Sequence, residues 1–201
     1  MKCYHVGLTG SMGSGKSTVA EILQENGVPT YFADDSAKRL LVEDKKLKKM
    51  IEDEFGEGIY LDGILQRKEL AKRAFSTPEA TKRINAIVHP AVHGDFVQWH
   101  SKQKSKYIVR EAAILFESES YKNCDSIILV EAQEKTRIDR VQERSDLSID
   151  EIRQRMSKQM PQAQKRSMLT ERDYIIENDG DLRSLRDQVQ FLHGVLLDRF
   201  S

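Results

Sequence analysis

Residues 10–18 of this 201-residue chain read GSMGSGKST, and the first eight of them match G-x-x-x-x-G-K-[ST]. That pattern constrains the fold more than any other feature of the chain. Its glycines let successive backbone N–H groups converge on phosphate oxygens, and the geometry works only where a strand runs into the loop and a helix leaves it. Both flanks are present: the apolar run YHVGLT (4–9) precedes the loop, and KSTVAEILQENG (16–27) follows it. There Val19, Ile22, Leu23 and Asn26 recur at helical spacing, and Gly27 suits the position just past a helix end. Gly10, Gly13, Ser14, Gly15, Lys16, Ser17 and Thr18 are therefore the expected nucleotide cradle. Lys16 would reach the β- and γ-phosphates, and the Ser17 hydroxyl would ligate Mg²⁺.

Further β-rich runs are TYFA (30–33), YIVREAAILF (107–116), SIILV (126–130) and YIIE (174–177), with helical patterns between most of them. Five such runs predict an α/β domain around a mainly parallel sheet covered on both faces. Two stretches interrupt the alternation. Residues 36–105 are charged and amphipathic, with Thr77-Pro78 reading as a helix cap and first helical residue. An insertion there would sit above the carboxyl edge of the sheet, where α/β proteins place ligands. Residues 137–172 carry nine Lys or Arg against six Asp or Glu, and the capping box Ser148–Glu151 opens a helix that Pro161 is expected to end. The polar QAQKRSMLTER beyond it reads as a flap.

Composition excludes several classes. Lys plus Arg and Asp plus Glu are 32 each, so the formal charge is zero, whereas dedicated nucleic-acid binders usually carry a basic excess. No apolar run approaches the roughly 20 residues of a membrane-spanning helix. The opening leads into glycines without a signal-peptide pattern, so the expected location is cytoplasmic and no membrane partner is expected. Cys3 and Cys124 are far apart and read as free thiols rather than as a disulfide or a metal site.

The cradle names no reaction. DEFG (53–56) fits D-x-x-G of switch GTPases, but it lies in a helical stretch and the chain has no N-K-x-D for guanine. A kinase needs a carboxylate beside the acceptor hydroxyl, and Ala33-Asp34-Asp35 at the end of the second strand supplies two candidates. Either could instead cap the following helix. It also needs cations over the transferring phosphoryl group. Arg137, Arg140 and Arg144 recur at helical spacing, so that Arg140 and Arg144 could share a face; a solvated helix face is the alternative.

At this point the chain resembles the dephospho-coenzyme A kinase family over nearly its whole length. The resemblance rests on VGLTGSMGSGKSTVAEILQENGVPTYFADDSAKRL (6–40), DGILQRKELAKRAFSTPE (62–79), INAIVHPAV (84–92), AILFESESYKNCDSIILV (113–130), RVQERSDLSIDEI (140–152) and IIENDGD (175–181), in that order and spacing. It implies a P-loop NTPase fold with a core of about residues 1–35, 106–136 and 173–201. A helical substrate-binding insertion would span about 36–105, and a lid about 137–172. It further implies transfer of the ATP γ-phosphate to the ribose 3′-hydroxyl of dephospho-coenzyme A, the last step of coenzyme A synthesis. Asp34 falls on the family's general base and Asp35 on a helix-start position. Lys16 with Mg²⁺ would hold the phosphates while Arg140 and Arg144 close over them. Arg67 or His89 would approach the acceptor, although His89 also fits a core histidine. Asn178 and Gly180 would lie near the adenine, or form a plain strand-to-helix turn. Three positions depart from the family pattern. Its D-x-D step reads Phe32-Ala33-Asp34, its Pro-Leu-Leu step reads Ala113-Ile114-Leu115, and Gln66 replaces an acidic residue before Arg67. Other small-molecule P-loop kinases, and a nucleotide-binding module without catalysis, share the cradle. The 36–105 insertion separates the first from this family, and intact Lys16, Ser17, Asp34 and lid arginines speak against the second.

Overall fold

The computed structural model describes residues 2–201. In chain order its elements begin with β1 (Tyr4–Gly10), α1 (Lys16–Glu25) and β2 (Thr30–Phe32). Next come α2 (Ala33–Glu43), α3 (Lys45–Phe55), β3 (Tyr60–Leu61), β4 (Ile64–Leu65), α4 (Arg67–Ala74) and α5 (Pro78–His100). The chain continues with β5 (Tyr107–Glu111), a 3₁₀ turn at Ser120–Asn123 and β6 (Ser126–Glu131). It closes with α6 (Glu134–Gln142), α7 (Ile149–Met156), α8 (Gln162–Ser167), β7 (Tyr174–Glu177) and α9 (Leu182–Arg199). Backbone contacts divide these into two units, Met1–Phe32 with Gln103–Ser201, and Ala33–Lys102.

The first unit is built on a five-stranded sheet in the order β2-β5-β1-β6-β7 with every neighbouring pair parallel. β1 therefore lies between strands that follow it by about a hundred residues, and the strand order reverses there. In an open parallel sheet that reversal leaves a crevice at the carboxyl ends, and the GSMGSGKST loop opens into it. One sheet face packs on α1 and α9 through Val6, Leu8, Val19, Leu23, Val109 and Val189, all with no measurable exposure. α1 presents Val19, Ala20, Ile22 and Leu23 to that core as one stripe and stops where Gly27 adopts φ 78°, as its sequence predicts. Gly7 sits on the opposite face, where a Cβ would press on the Leu115 and Cys124 side chains. Cys3 and Cys124 are free thiols.

In the second unit, helices α2 to α5 enclose Leu47, Ile51, Phe55 and Ile84. Asp44 breaks what would be one long helix and caps α3 by accepting from the Lys46 and Leu47 amides. Thr77 caps α5 by accepting from Ala80 N–H, with Pro78 in the first turn, and the helix then continues through Pro90 to His100. Beyond the expected helices, a β3–β4 hairpin spans Tyr60–Leu65, and its tip places Asp62 and Gly63 at φ 50° and 79°.

Two expectations for 137–172 change. The capping box is present, with Ser148 and Glu151 exchanging side-chain and backbone bonds, but α7 ends at Met156 before Pro161 is reached. Pro161 instead opens α8, because its missing N–H costs nothing at a helix start. The polar stretch read as a flap is helical over Gln162–Ser167, and Lys165 within it is fully buried.

Candidate active site

The loop between β1 and α1 is shaped by its glycines. Gly13 (φ 81°) and Gly15 (φ 92°) occupy the left-handed region. A Cβ on Gly13 would strike the Arg137 backbone, and one on Gly15 the Asn178 side chain. Both positions thus need glycine for conformation and for space. Gly10 is equally confined, between the Ser14 hydroxyl and the Val130 carbonyl.

Gly15 is the N-cap of α1, no side chain caps that helix, and its first turn holds no acidic residue. Among the described residues the N–H groups of Gly13, Gly15, Lys16, Ser17 and Thr18 make no hydrogen bond. A helix start left with its first-turn amides unsatisfied, on a positive dipole end and beside a lysine, is a fit for phosphate oxygens. Ser17 is exposed and Thr18 half-buried, so the Ser17 hydroxyl is available to a cation held by those phosphates. Among the described residues no group of three or more His, Cys, Asp or Glu could cage a metal on its own.

The loop is fixed from three sides. Ser14 N–H donates to the Ser11 carbonyl at 3.0 Å. Met12 N–H donates to Gln159 Oε1, between α7 and α8, at 2.9 Å. Asn178 Nδ2 donates to the Ser14 carbonyl at 2.8 Å. Asn178 is 5% exposed, and its backbone and side-chain oxygens accept from Arg140 at 2.8 and 3.4 Å. Asn178, expected either near the adenine or in a plain strand-to-helix turn, directly follows β7, and its side chain bonds the loop and Arg140. Gly180 lies exposed between β7 and α9, one residue before the Asp181 cap.

Cations gather at the same edge. Arg137 donates from Nε to the Ala132 carbonyl at 3.1 Å with its backbone against Gly13. Arg140 reaches over Gly15. Arg144 does not share their helix, since α6 ends at Gln142 and Arg144 lies exposed beyond its cap.

Two charged groups here went unnoticed in the sequence. Glu111, at the end of β5, is 3% exposed and its Oε1 lies 3.4 Å from Lys16 Nζ. It was hidden inside a run read simply as apolar. Lys165, fully buried, lies 3.4 Å from both Glu117 Oε1 and the Ala113 carbonyl. Burial pulls its ammonium below the ordinary lysine value, Glu117 opposes that shift, and the nearby Lys16 and Arg137 charges add to it. Farther along the edge, burial raises the Glu131 carboxyl despite Arg166 at 3.1 Å, and the Glu177 charge raises it further.

The remaining candidates lie in the Ala33–Lys102 unit. Asp34 is exposed in the first turn of α2, two residues past the end of β2, and is not a cap because α2 begins at Ala33. Arg67 is exposed at the start of α4, and His89 is half-buried on α5 before Pro90.

Comparison with known proteins settles the family. Residues 4–184 match the profile of dephospho-CoA kinase. The chain belongs to the dephospho-CoA kinase family. A dephospho-CoA kinase of Chlorobaculum tepidum is 39% identical over 96% of this chain and 94% of its own. The crystal structure of TT1252 from Thermus thermophilus superposes with a TM-score of 0.83 at 32% identity, covering 98% of this chain and 99% of that one. A dephospho-CoA kinase from Campylobacter jejuni has the same fold, with a TM-score of 0.68 at 24% identity over 97% and 98% of the two chains. The activity that names the family is an ATP-dependent phosphoryl transfer, which the cradle described above suits. Among the described residues no helix is long and apolar enough to cross a membrane.

Proposed function

We propose that this chain transfers the γ-phosphate of ATP to the ribose 3′-hydroxyl of dephospho-coenzyme A, giving coenzyme A and ADP. The observation that carries the reading is the uncapped start of α1 behind Gly13 and Gly15, with Lys16 in its first turn, in a chain of this family.

In this reading the amides of Gly13 and Gly15–Thr18 hold the phosphate oxygens and Lys16 spans the β- and γ-phosphates. Arg140, steadied by Asn178, neutralises charge on the phosphoryl group, and Arg144 approaches it when the 137–172 lid closes. Mg²⁺, held by the phosphates and the Ser17 hydroxyl, would supply further charge neutralisation. Asp34 orients the 3′-hydroxyl and takes its proton as the new O–P bond forms and the bond to the departing ADP breaks. The transition state is thought to be loose, so positioning and charge neutralisation contribute more than proton removal. The Ala33–Lys102 unit binds the acceptor, with Arg67 and His89 as its polar contacts.

The test is ADP release with Mg-ATP, comparing dephospho-coenzyme A with adenosine, AMP and shikimate. Turnover confined to dephospho-coenzyme A is the expected outcome. Turnover on another acceptor would keep the kinase and discard this substrate, and nucleotide binding without turnover would leave a binding module.

A further inference from the structure

Met12 lies inside the phosphate loop, and residues 138–159 hold it in two ways. Its backbone N–H donates to Gln159 Oε1, beyond the end of α7, at 2.9 Å. Its half-buried side chain packs on a small apolar cluster of Ile138 and Val141 from α6 and Ile152 from α7, which Leu147 and Met156 also join. The other members of that cluster all lie within 138–156, and none belongs to the core between the sheet, α1 and α9.

α6 and α7 have only 9 and 8 residues. Helices that short have little stability of their own and depend on what their apolar faces pack against. To a core of three buried residues, one methionine is a sizeable addition. Methionine suits the place, because its unbranched thioether can keep contact as its neighbours shift.

The contact lies where it can govern charge. Gly13, the next residue of the loop, is so close to the Arg137 backbone that a Cβ would strike it. Arg137 Nη1 donates to Met156 Sδ at 3.7 Å, which ties α6 to α7. One turn along α6, Arg140 reaches over Gly15. Ile138 and Val141 directly follow those two arginines in the chain. Seating Ile138 and Val141 against Met12 therefore sets where both guanidinium groups start.

We infer that Met12 is a positioning residue for the phosphoryl transfer. Its side chain seats the α6–α7 pair on the phosphate loop, holds Arg137 and Arg140 at the transferring phosphate, and carries the ordering of the loop by nucleotide into the lid. This inference rests on the loop being a nucleotide cradle.

Met12→Ala deletes the side chain and leaves the backbone N–H for Gln159. Three readouts separate positioning from packing alone: kcat and KM with Mg-ATP and dephospho-coenzyme A, ADP affinity by calorimetry, and hydrogen exchange of the 149–156 amides with and without ADP. kcat is expected to fall about 10- to 100-fold, the scale of a small misplacement around the reacting groups, with ADP affinity within about threefold of the parent. ADP should slow exchange over 149–156 in the parent by about fivefold or more, and by less than about twofold in Met12→Ala. Met12→Leu conserves the volume and should restore both properties. Unchanged kcat in Met12→Ala overturns the inference, and so does ADP-dependent slowing that is equal in parent and variant. Should Met12→Ala fail to fold, Met12→Val removes less of the contact and carries the same comparison. The exchange measurement needs no acceptor. A parent that binds ADP without slower exchange over 149–156 overturns this inference and leaves the cradle standing, whereas a parent that binds no ADP overturns the cradle reading and this inference with it.

Discussion

Arg140 and Asn178 meet twice: one guanidinium nitrogen donates to the Asn178 backbone carbonyl at 2.8 Å, and the other approaches its side-chain oxygen at 3.4 Å. The same asparagine donates to the Ser14 carbonyl inside the phosphate loop at 2.8 Å. One buried amide thus links the end of β7, the helix α6 and the nucleotide cradle.

Asn178→Ala is expected to lower unfolding free energy by about 1–3 kcal/mol, the scale for stranding a buried hydrogen-bonding partner. ADP binding should weaken at the same time, because both the loop and Arg140 lose a support. Urea unfolding and calorimetry check the two effects. Stability loss with unchanged ADP affinity would make the asparagine a packing residue only.

Asp34→Asn is expected to leave ATP affinity near normal and to lower turnover by roughly 100-fold or more, the scale of removing a general base. Steady-state rates beside nucleotide titration give the comparison. Near-normal turnover would remove Asp34 from the base role.

Alkaline stability should depend on Cys124. Burial pushes its thiol up to about 12 from 9.0, with Arg110 opposing the shift and Asp125 adding to it. The folded state therefore keeps the proton that the unfolded chain releases above pH 9, so stability falls from there until about pH 12. By pH 10.5 the loss amounts to about 2 kcal/mol. Burial raises the Tyr107 hydroxyl in the same sense, adding to the loss above pH 10. Urea unfolding at pH 8 and pH 10.5 should show a smaller difference for Cys124→Ala than for the parent. An equal difference would contradict the assignment.

Lys165 and Glu117 should be coupled. Glu117→Gln leaves a fully buried ammonium without its counter-charge, and a loss of about 3 kcal/mol is expected. Lys165→Met in that background should recover part of it. A double-mutant cycle in urea measures the coupling, and additive losses would show that the pair is not an energetic unit.

How much of this was legible in the sequence varies with the range of the cause. The strand, loop and helix around Lys16, the Gly27 stop, the Thr77 cap and the Ser148–Glu151 box are set by neighbours within a few residues, and the structure places them as the sequence predicts. The parallel sheet follows from apolar runs alternating with helices. Long-range causes stayed hidden. Glu111 lies in a run whose apolar neighbours mask it, and its meaning comes from Lys16, 95 positions earlier in the chain. Lys165 looks like any polar flap residue until Glu117 and Ala113 are folded against it. Arg144 was grouped with Arg140 by spacing, which fails because the helix ends between them. The Asp62-Gly63 tip was a readable hairpin signal, overlooked because each of its strands is only two residues long.

The central claim is that the ATP γ-phosphate arrives on the ribose 3′-oxygen of dephospho-coenzyme A. Phosphorus–proton correlation NMR of the product formed from Mg-ATP and dephospho-coenzyme A tests it most directly. The account predicts one new phosphorus, scalar-coupled to the ribose H3′ proton. A new phosphorus coupled to any other position, or release of inorganic phosphate with the acceptor unchanged, would contradict it.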